Sequence, residues 1–367
     1  MLRRVSITIV LVLLAVPAVA SKRRAAGTPK PYPPCAMVLG TGAITFTADE
    51  GKTLAPTAEP LRGLAYTYGL VAMPGEKDTL MAFHRDQLLL STDAGCSWRS
   101  VATIAGFDFP PTLAAAPGGR VYIWSDNRSF LVRYDARGAK VLKPPADFVG
   151  FAVDPQDGDH IRAGGTDGAI WESLDAGETW DVRGRIDVTG EVVYRYVFDA
   201  NNLDHIVAGM TRKGAFTTRD AGRNWTRATG LAKGDVNVFS FAISPVDPSR
   251  VWAMGIDLSH TDDDPAHGRH IYLSTDGGLT YGPVVDEGAG VKLINGPLLV
   301  AHPTDTNVLY FVFGTYFQGY GTDLFRYDAA TRALTMTHSD YDDINAIAFA
   351  PSDLRLMYLG LSEEQSQ

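Results

Sequence analysis

Beyond its first twenty residues this sequence holds no apolar run long enough to cross a bilayer as a helix, which excludes a helical membrane protein. Positive charge is also short. Lys and Arg number 33 against 42 Asp and Glu, a net charge of −9. A balance of that sign argues against nucleic acid and anionic membrane as partners. Cysteine is scarcer still, with only Cys35 and Cys96. Neither directly follows Ala18-Val19-Ala20, where a lipid anchor would need it. His, Asp and Glu nowhere fall at the spacing of a standard metal-ligand motif, so no metal and no cofactor are assigned.

What the chain has in quantity is turn residues, with 37 Gly and 21 Pro in 367 residues. At 45% hydrophobic and 20% charged it is ordinary globular material, long enough for one large all-β domain. Residues 1–20 read as a signal peptide: Arg3 and Arg4, then an apolar run, then an A-x-A cleavage site at Ala18 to Ala20. Residues 21–34 are basic and Pro-rich and read as a disordered lead-in. Residues 35–367 are the folded domain. The expected location is secreted or periplasmic, and the expected state is a monomer.

One short stretch recurs. Residues 173–180 read Ser-Leu-Asp-Ala-Gly-Glu-Thr-Trp. Variants stand at 47–54, 91–98, 218–225 and 274–281, and worn copies at 133–136 and 326–329. Their aspartates are Asp49, Asp93, Asp135, Asp175, Asp220, Asp276 and Asp328, spaced by 44, 42, 40, 45, 56 and 52 residues. A period of roughly 40 to 50 residues signals a propeller or a similar array. The chemistry is that of a tight turn. The Asp accepts backbone N–H bonds from residues further on. The Gly takes φ > 0. The Ser or Thr adds a local hydroxyl bond. The closing Trp folds back under the hairpin, so Trp180 and Trp225 should be largely buried.

These stretches resemble the Asp-box, or BNR, repeat of sialidases, sortilin-type receptors and related secreted propellers. The resemblance covers nearly all of the expected mature chain. It implies an all-β fold of seven four-stranded blades, with the seven aspartates as structural turn residues.

A second repeat agrees with the first. Apolar strands ending in Pro-x-Asp turns precede most copies, as at 151–157, 241–247, 300–305 and 348–353. Inner strands are expected near 64–72, 111–116, 149–154, 193–199, 238–244, 297–302 and 344–350. The last has no partners after it, and the strands at 43–57 have no inner strand before them. The two termini therefore share one blade, which leaves no open sheet edge. Residues 37–40 and 356–361 compete for its second strand. The C-terminal segment directly follows its own inner strand and is favoured. Cys35 then enters at the top of the blade, about one strand length from Cys96 (~17–20 Å), and two free thiols are expected.

Ligands of such propellers meet the top face, where the B–C and D–A connections lie. Two B–C connections stand out. The sixth blade inserts residues 256–269, with Asp257, His260, Asp262, Asp263, Asp264, His267 and then His270. The seventh inserts 314–321, with Tyr316, Phe317 and Tyr320. The proposed ligand residues are His260, Asp262, Asp263, Asp264, His267, His270, Tyr316, Phe317 and Tyr320. Charge beside aromatic faces suits sugar rings and cationic side chains alike. Tyr194, Arg195, Asn237, Asn295, Asp343 and Asn345 are candidates for the channel mouth.

Sialidase-like activity is not carried over. The early blades contain no Arg-Ile-Pro, and nothing around Arg62, Arg128 or Arg195 matches the sialidase arginine triad. No catalytic residue is assigned. The reading is a binding module for a protein or glycan, with a glycoside hydrolase-like enzyme using top-face carboxylates as the alternative.

Overall fold

The computed structural model describes residues 33–61, 67–106, 111–231, 234–260, 268–289, 298–314, 322–339, 342–351 and 353–363. Seven antiparallel sheets follow one another. Six have four strands in simple up-and-down order, and the seventh joins Ile44–Thr47 to Asp353–Glu363 and Asp342–Ala350. The last sheet is numbered here as the first blade. The inner strands are Gly69–Ala72, Thr112–Ala116, Phe148–Val153, Val193–Asp199, Val236–Ile243, Leu298–Ala301 and Asp342–Ala350. Each lies within a few residues of its expected place.

The second strands are buried on both faces, which is why they read as apolar runs: Leu80–His84, Ile161–Gly165 and Val251–Asp257 are buried throughout. The outer strands Arg99–Thr103 and Asp181–Arg185 are mostly exposed. Apolar side chains gather in seven clusters, and each cluster joins two adjacent blades. One of them packs Val308 and Leu324 of the seventh blade on Leu359 of the first, so the ring of interfaces closes. Where blades approach, glycine is required. A Cβ on Gly164 would lie 2.0 Å from the buried ring of Tyr196 on the next blade.

The recurring turns share one hydrogen-bond pattern. At the fourth blade the Ser173 hydroxyl donates to Asp175 Oδ1 at 2.8 Å and accepts from Gly177 N at 2.8 Å. Thr179 donates its N–H to Oδ1 at 2.8 Å and its hydroxyl to Oδ2 at 2.6 Å. The same set recurs at Asp49, Asp93, Asp220 and Asp276. The residue after the Asp also has positive φ, as at Ala176 (62°), so two successive residues turn left-handed. The glycine serves contact as well as conformation: a Cβ on Gly51, Gly95, Gly177 or Gly222 would fall within 2.8 Å of a side chain on the preceding blade. Asp135 and Asp328 hold simpler turns, accepting from backbone N–H groups two or three residues on. Trp180 and Trp225 are partly exposed but pack on the clusters beneath their hairpins. Their rings lean on Phe148 and Tyr196 of their own inner strands, with centroids 5.3 and 6.1 Å apart.

The C-terminal segment does fill the second-strand slot of the shared blade, with Ile44 opposite Gly360 and Phe46 opposite Tyr358. The two cysteines nevertheless form a disulfide, with Cα atoms 5.9 Å apart, so the expectation of free thiols is corrected. The reason lies in residues 37–40, which do not descend from the top. Val38 runs parallel to Thr57 on the outer edge of the blade, donating to Pro56 O and accepting from Ala58 N, both at 2.8 Å. Leu39 then donates to Cys96 O at 2.7 Å and accepts from Trp98 N at 3.3 Å. Thr229 makes the same pair of bonds to Leu279 and Tyr281, at equivalent turn positions. The N-terminal segment thus stands in for the end of an outer strand, running bottom to top, and Cys35 starts beside the turn that carries Cys96.

Candidate functional site

The second strand of the sixth blade is apolar until its last residue, Asp257, which is buried. Its carboxylate caps the turn that begins the insertion. Ser259 donates its N–H at 3.0 Å and its hydroxyl at 2.6 Å to Oδ1, and His260 Nδ1 lies 2.9 Å from Oδ2. The chain returns at Gly268, whose carbonyl accepts from Asp257 N at 2.7 Å. Gly268 has φ +77°, and a Cβ there would lie 2.5 Å from Asp257 O.

Glu287, on the loop to the seventh blade, completes this neck. Its carboxylate accepts from Gly268 N at 2.6 Å and from His270 Nε2 at 2.8 Å, while Tyr272 OH lies 3.1 Å from His270 Nδ1. Burial opposes ionisation of Asp257 and Glu287. Hydrogen bonds outweigh it and hold both below the usual carboxylate range. Burial raises the Tyr272 hydroxyl. The insertion is therefore rooted in a bonded neck.

Of the expected ligand residues, His260 and His270 are described. His260 has 69% of its side chain exposed at the neck. His270 is held between Glu287 and Tyr272, as a brace of the neck. Asp262, Asp263, Asp264, His267, Tyr316, Phe317 and Tyr320 lie outside the described residues, as do Arg62 and Asn295. Sequence reasoning missed Glu287. The signal was the length of the 286–297 connection, 12 residues against 14 and 8 for the two insertions singled out.

The inner strands enclose a cavity of about 480 Å³, lined by Tyr68, Thr112, Asp126, Arg195, Ser240 and Asn345 among others. Arg195 of the fifth blade meets Asp126 of the third in a two-point contact, at 2.9 and 2.5 Å. Asp126 is open to channel water, yet protein surrounds it. That desolvation raises its pKa, against the pull of Arg195. Arg195 and Asn345 face the channel as expected. Tyr194 packs on Phe239 with the rings tilted and centroids 4.3 Å apart, and Asn237 accepts from Arg212 N at 2.8 Å. Asp126 is the one carboxylate lining this cavity among the described residues. A second cavity, of about 680 Å³, lies at the bottom between the seventh and first blades. Its Asp49, Glu50 and Asp353 are engaged by Thr53, Arg326 and Arg355. No group of three or more metal-ligating side chains occurs among the described residues.

Seven blades closed by a shared sheet define a β-propeller. No family model matches the chain. It is 49% identical over 339 residues to the dispase autolysis-inducing protein of Streptomyces mobaraensis, covering 91% of this chain and 90% of that protein, and it belongs to that protein's family. Solved structures agree on the fold. The xyloglucanase of Xanthomonas campestris superposes with a TM-score of 0.57 at 16% identity over 82% of this chain. The chain spans 51% of that enzyme's length. YCF48 of Cyanidioschyzon merolae gives a TM-score of 0.56 at 11% identity, over 82% of this chain and 97% of that one. YCF48 bound to D1 peptide gives 0.58 at 12% identity, over 83% of this chain and 95% of that one.

Proposed function

We propose that this chain is an exported, non-catalytic propeller that binds a secreted protease of the dispase type and promotes its self-cleavage. The observation that carries the reading is the 49% identity, over about nine-tenths of both chains, to a protein named for inducing dispase autolysis. The channel supports binding over glycoside hydrolysis. That chemistry uses two carboxyl groups in one pocket, and here Asp126 stands with Arg195 instead. A fold neighbour solved with a peptide bound supports a protein partner. The Cys35–Cys96 bridge supports an oxidising compartment, in keeping with the signal-like N-terminus.

In this reading the recurring turns are Asp-box repeats and serve as scaffold. The partner meets the top lip of the sixth and seventh blades, through Asp262 to Asp264, His260 and His267 on one insertion and Tyr316, Phe317 and Tyr320 on the other. The bonded neck at Asp257, Gly268 and Glu287 supports a loop presented from a fixed base. No nucleophile of the propeller is needed. A binder with higher affinity for an opened protease shifts it toward the form that a second protease molecule cuts.

The test incubates dispase with the mature chain and follows dispase fragments by mass spectrometry. Active dispase should be lost faster with the propeller present. Catalytically inactive dispase should stay intact with the propeller alone, and be cut faster by a trace of active enzyme when the propeller is added. Cleavage of inactive dispase by the propeller alone would make it a protease, and no acceleration would end the reading. Shortening residues 257–269 to a two-residue turn should preserve the fold, because loop length changes stability only slightly, and remove the effect. An undiminished effect would place the binding face elsewhere.

A further inference from the structure

Between Thr211 and Ala228 the fifth blade carries Arg212, Lys213, Arg219, Arg223 and Arg227 against the single acid Asp220, in a chain of net charge −9. The Asp220 carboxylate is spent on its turn, accepting from Thr218 and from both nitrogens of Asn224. On nearby blades Arg120, Arg133, Arg162, Arg183 and Arg185 each face a carboxylate. Among the described residues, Arg212, Arg219, Arg223 and Arg227 make no ion pair, and all four are exposed. A strip of cations thus runs from the top to the bottom of one blade edge with no ion pair among the described residues, although the charge of Lys213 reaches Asp187.

The upper end of the strip holds a groove of about 350 Å³, lined by Lys213, Arg227, Gly230, Leu231, Gly234 and Val236 among others, with the exposed Asp235 on its outer wall. Arg227 Nε donates to Lys213 O at 2.9 Å, and its two terminal nitrogens have no partner among the described residues. Lys213 Nζ makes one long contact, 3.3 Å to Thr189 O. A Cβ built on Gly234 would stand 3.7 Å from Ser259 and 3.9 Å from Asp257 Oδ1, on the side of the neck. The outer wall of the groove also braces the neck of the sixth-blade insertion, since Leu258 N donates to Asp235 O at 3.0 Å. The groove is therefore continuous with the lip assigned to the partner above.

We propose that this blade edge docks an acidic segment of the protein partner, with one of its carboxylates seated in the groove between Lys213 and Arg227. The inference rests on the reading of a protein partner and adds where, and by what charge, that partner is held. A guanidinium with two free terminal nitrogens matches a carboxylate in a two-point geometry, and a neighbouring ammonium adds a point charge. An uncompensated cationic strip also speeds encounter with an acidic protein and makes the binding salt-dependent.

The test uses the mature chain with catalytically inactive dispase and, separately, a ten-residue glutamate peptide. Binding is read by interferometry at low and at moderate salt. The parent should bind dispase, losing about tenfold in affinity as salt is raised. The triple variant Arg212→Glu, Lys213→Glu, Arg227→Glu should lose about thirtyfold and most of that salt dependence. The control variant Arg99→Glu, Arg137→Glu, on the second and third blades, should match the parent, and unchanged unfolding temperatures show that all variants fold. A triple variant that binds dispase within threefold of the parent, with the same salt slope, overturns the proposal. If the parent fails to bind dispase, the functional reading fails and the glutamate peptide decides for the strip. Binding that the triple variant loses supports it, and no binding by the parent overturns it. Displacement of the peptide by duplex DNA or heparin at lower concentration than by an acidic protein would also overturn it.

Discussion

Cys96→Ser removes the covalent latch at the point where the ring closes. The turn itself does not need cysteine, because Lys52, Glu178, Arg223 and Leu279 occupy the equivalent position in the other copies. What changes is the freedom of the unfolded chain. The bridge closes a sequence separation of 61 residues, and releasing a loop of that size is worth about 4 kcal/mol in the chain-entropy account. For the roughly 300 described residues the unfolding entropy is about 0.6 kcal/mol per degree, so the midpoint should fall by about 7 °C. The native state loosens locally as well. Without the bridge the strap keeps four backbone bonds at Val38 and Leu39 and the burial of Val38. Calorimetry should show the shift, and hydrogen exchange should quicken at Val38 and Leu39 before it does in the inner strands. The unreduced parent, denatured, should show no titratable thiol. Two thiols would mean there is no latch. A variant that unfolds within about 1 °C of the parent, with unchanged exchange at the strap, would refute the entropic argument.

Two further outcomes follow from packing and charge. Gly164→Ala puts a methyl group 2.0 Å from the Tyr196 ring across a blade junction and should cost about 1–3 kcal/mol, read as a lower denaturant midpoint. A loss below about 0.5 kcal/mol would show that blades re-space freely. Asp175 and Asp220 are lowered to about 2, chiefly by the side chains and N–H groups of Thr179 and Asn224 respectively. Their folded pKa lies below the unfolded value of 3.8, so their stabilisation is complete above about pH 4 and is lost as pH falls toward 2. The double variant Asp175→Asn, Asp220→Asn should flatten the fall in unfolding temperature over that window, and an unchanged acid slope would show that these turns carry none of it.

The turns were legible because their chemistry is local. Ser173, Asp175, Gly177 and Thr179 bond to one another within four residues, so the spacing of residue types alone reports the geometry, and its recurrence reports the blade count. The second strands were legible because burial on both faces makes an unbroken apolar run. The strap was not. Whether residues 37–40 take an inner slot or an outer edge depends on a parallel register with Thr57, a non-local pairing that no residue pattern encodes.

The site divides in the same way. The length of the sixth-blade insertion is visible in the sequence, but the brace between His270 and Glu287 joins two loops that share no motif. The cations at 212, 213, 219, 223 and 227 are equally visible as letters. Those of the strip stand apart because no described carboxylate pairs with them, whereas Arg185 meets Asp167 of its own blade and Arg162 meets Glu172 of its own blade and Asp204 of the next. The repeat therefore fixes a scaffold whose own carboxylates are consumed in its turns. In the proposed reading, recognition falls to what the repeat does not specify: the loops above the blades, and the cations along the edge of the fifth.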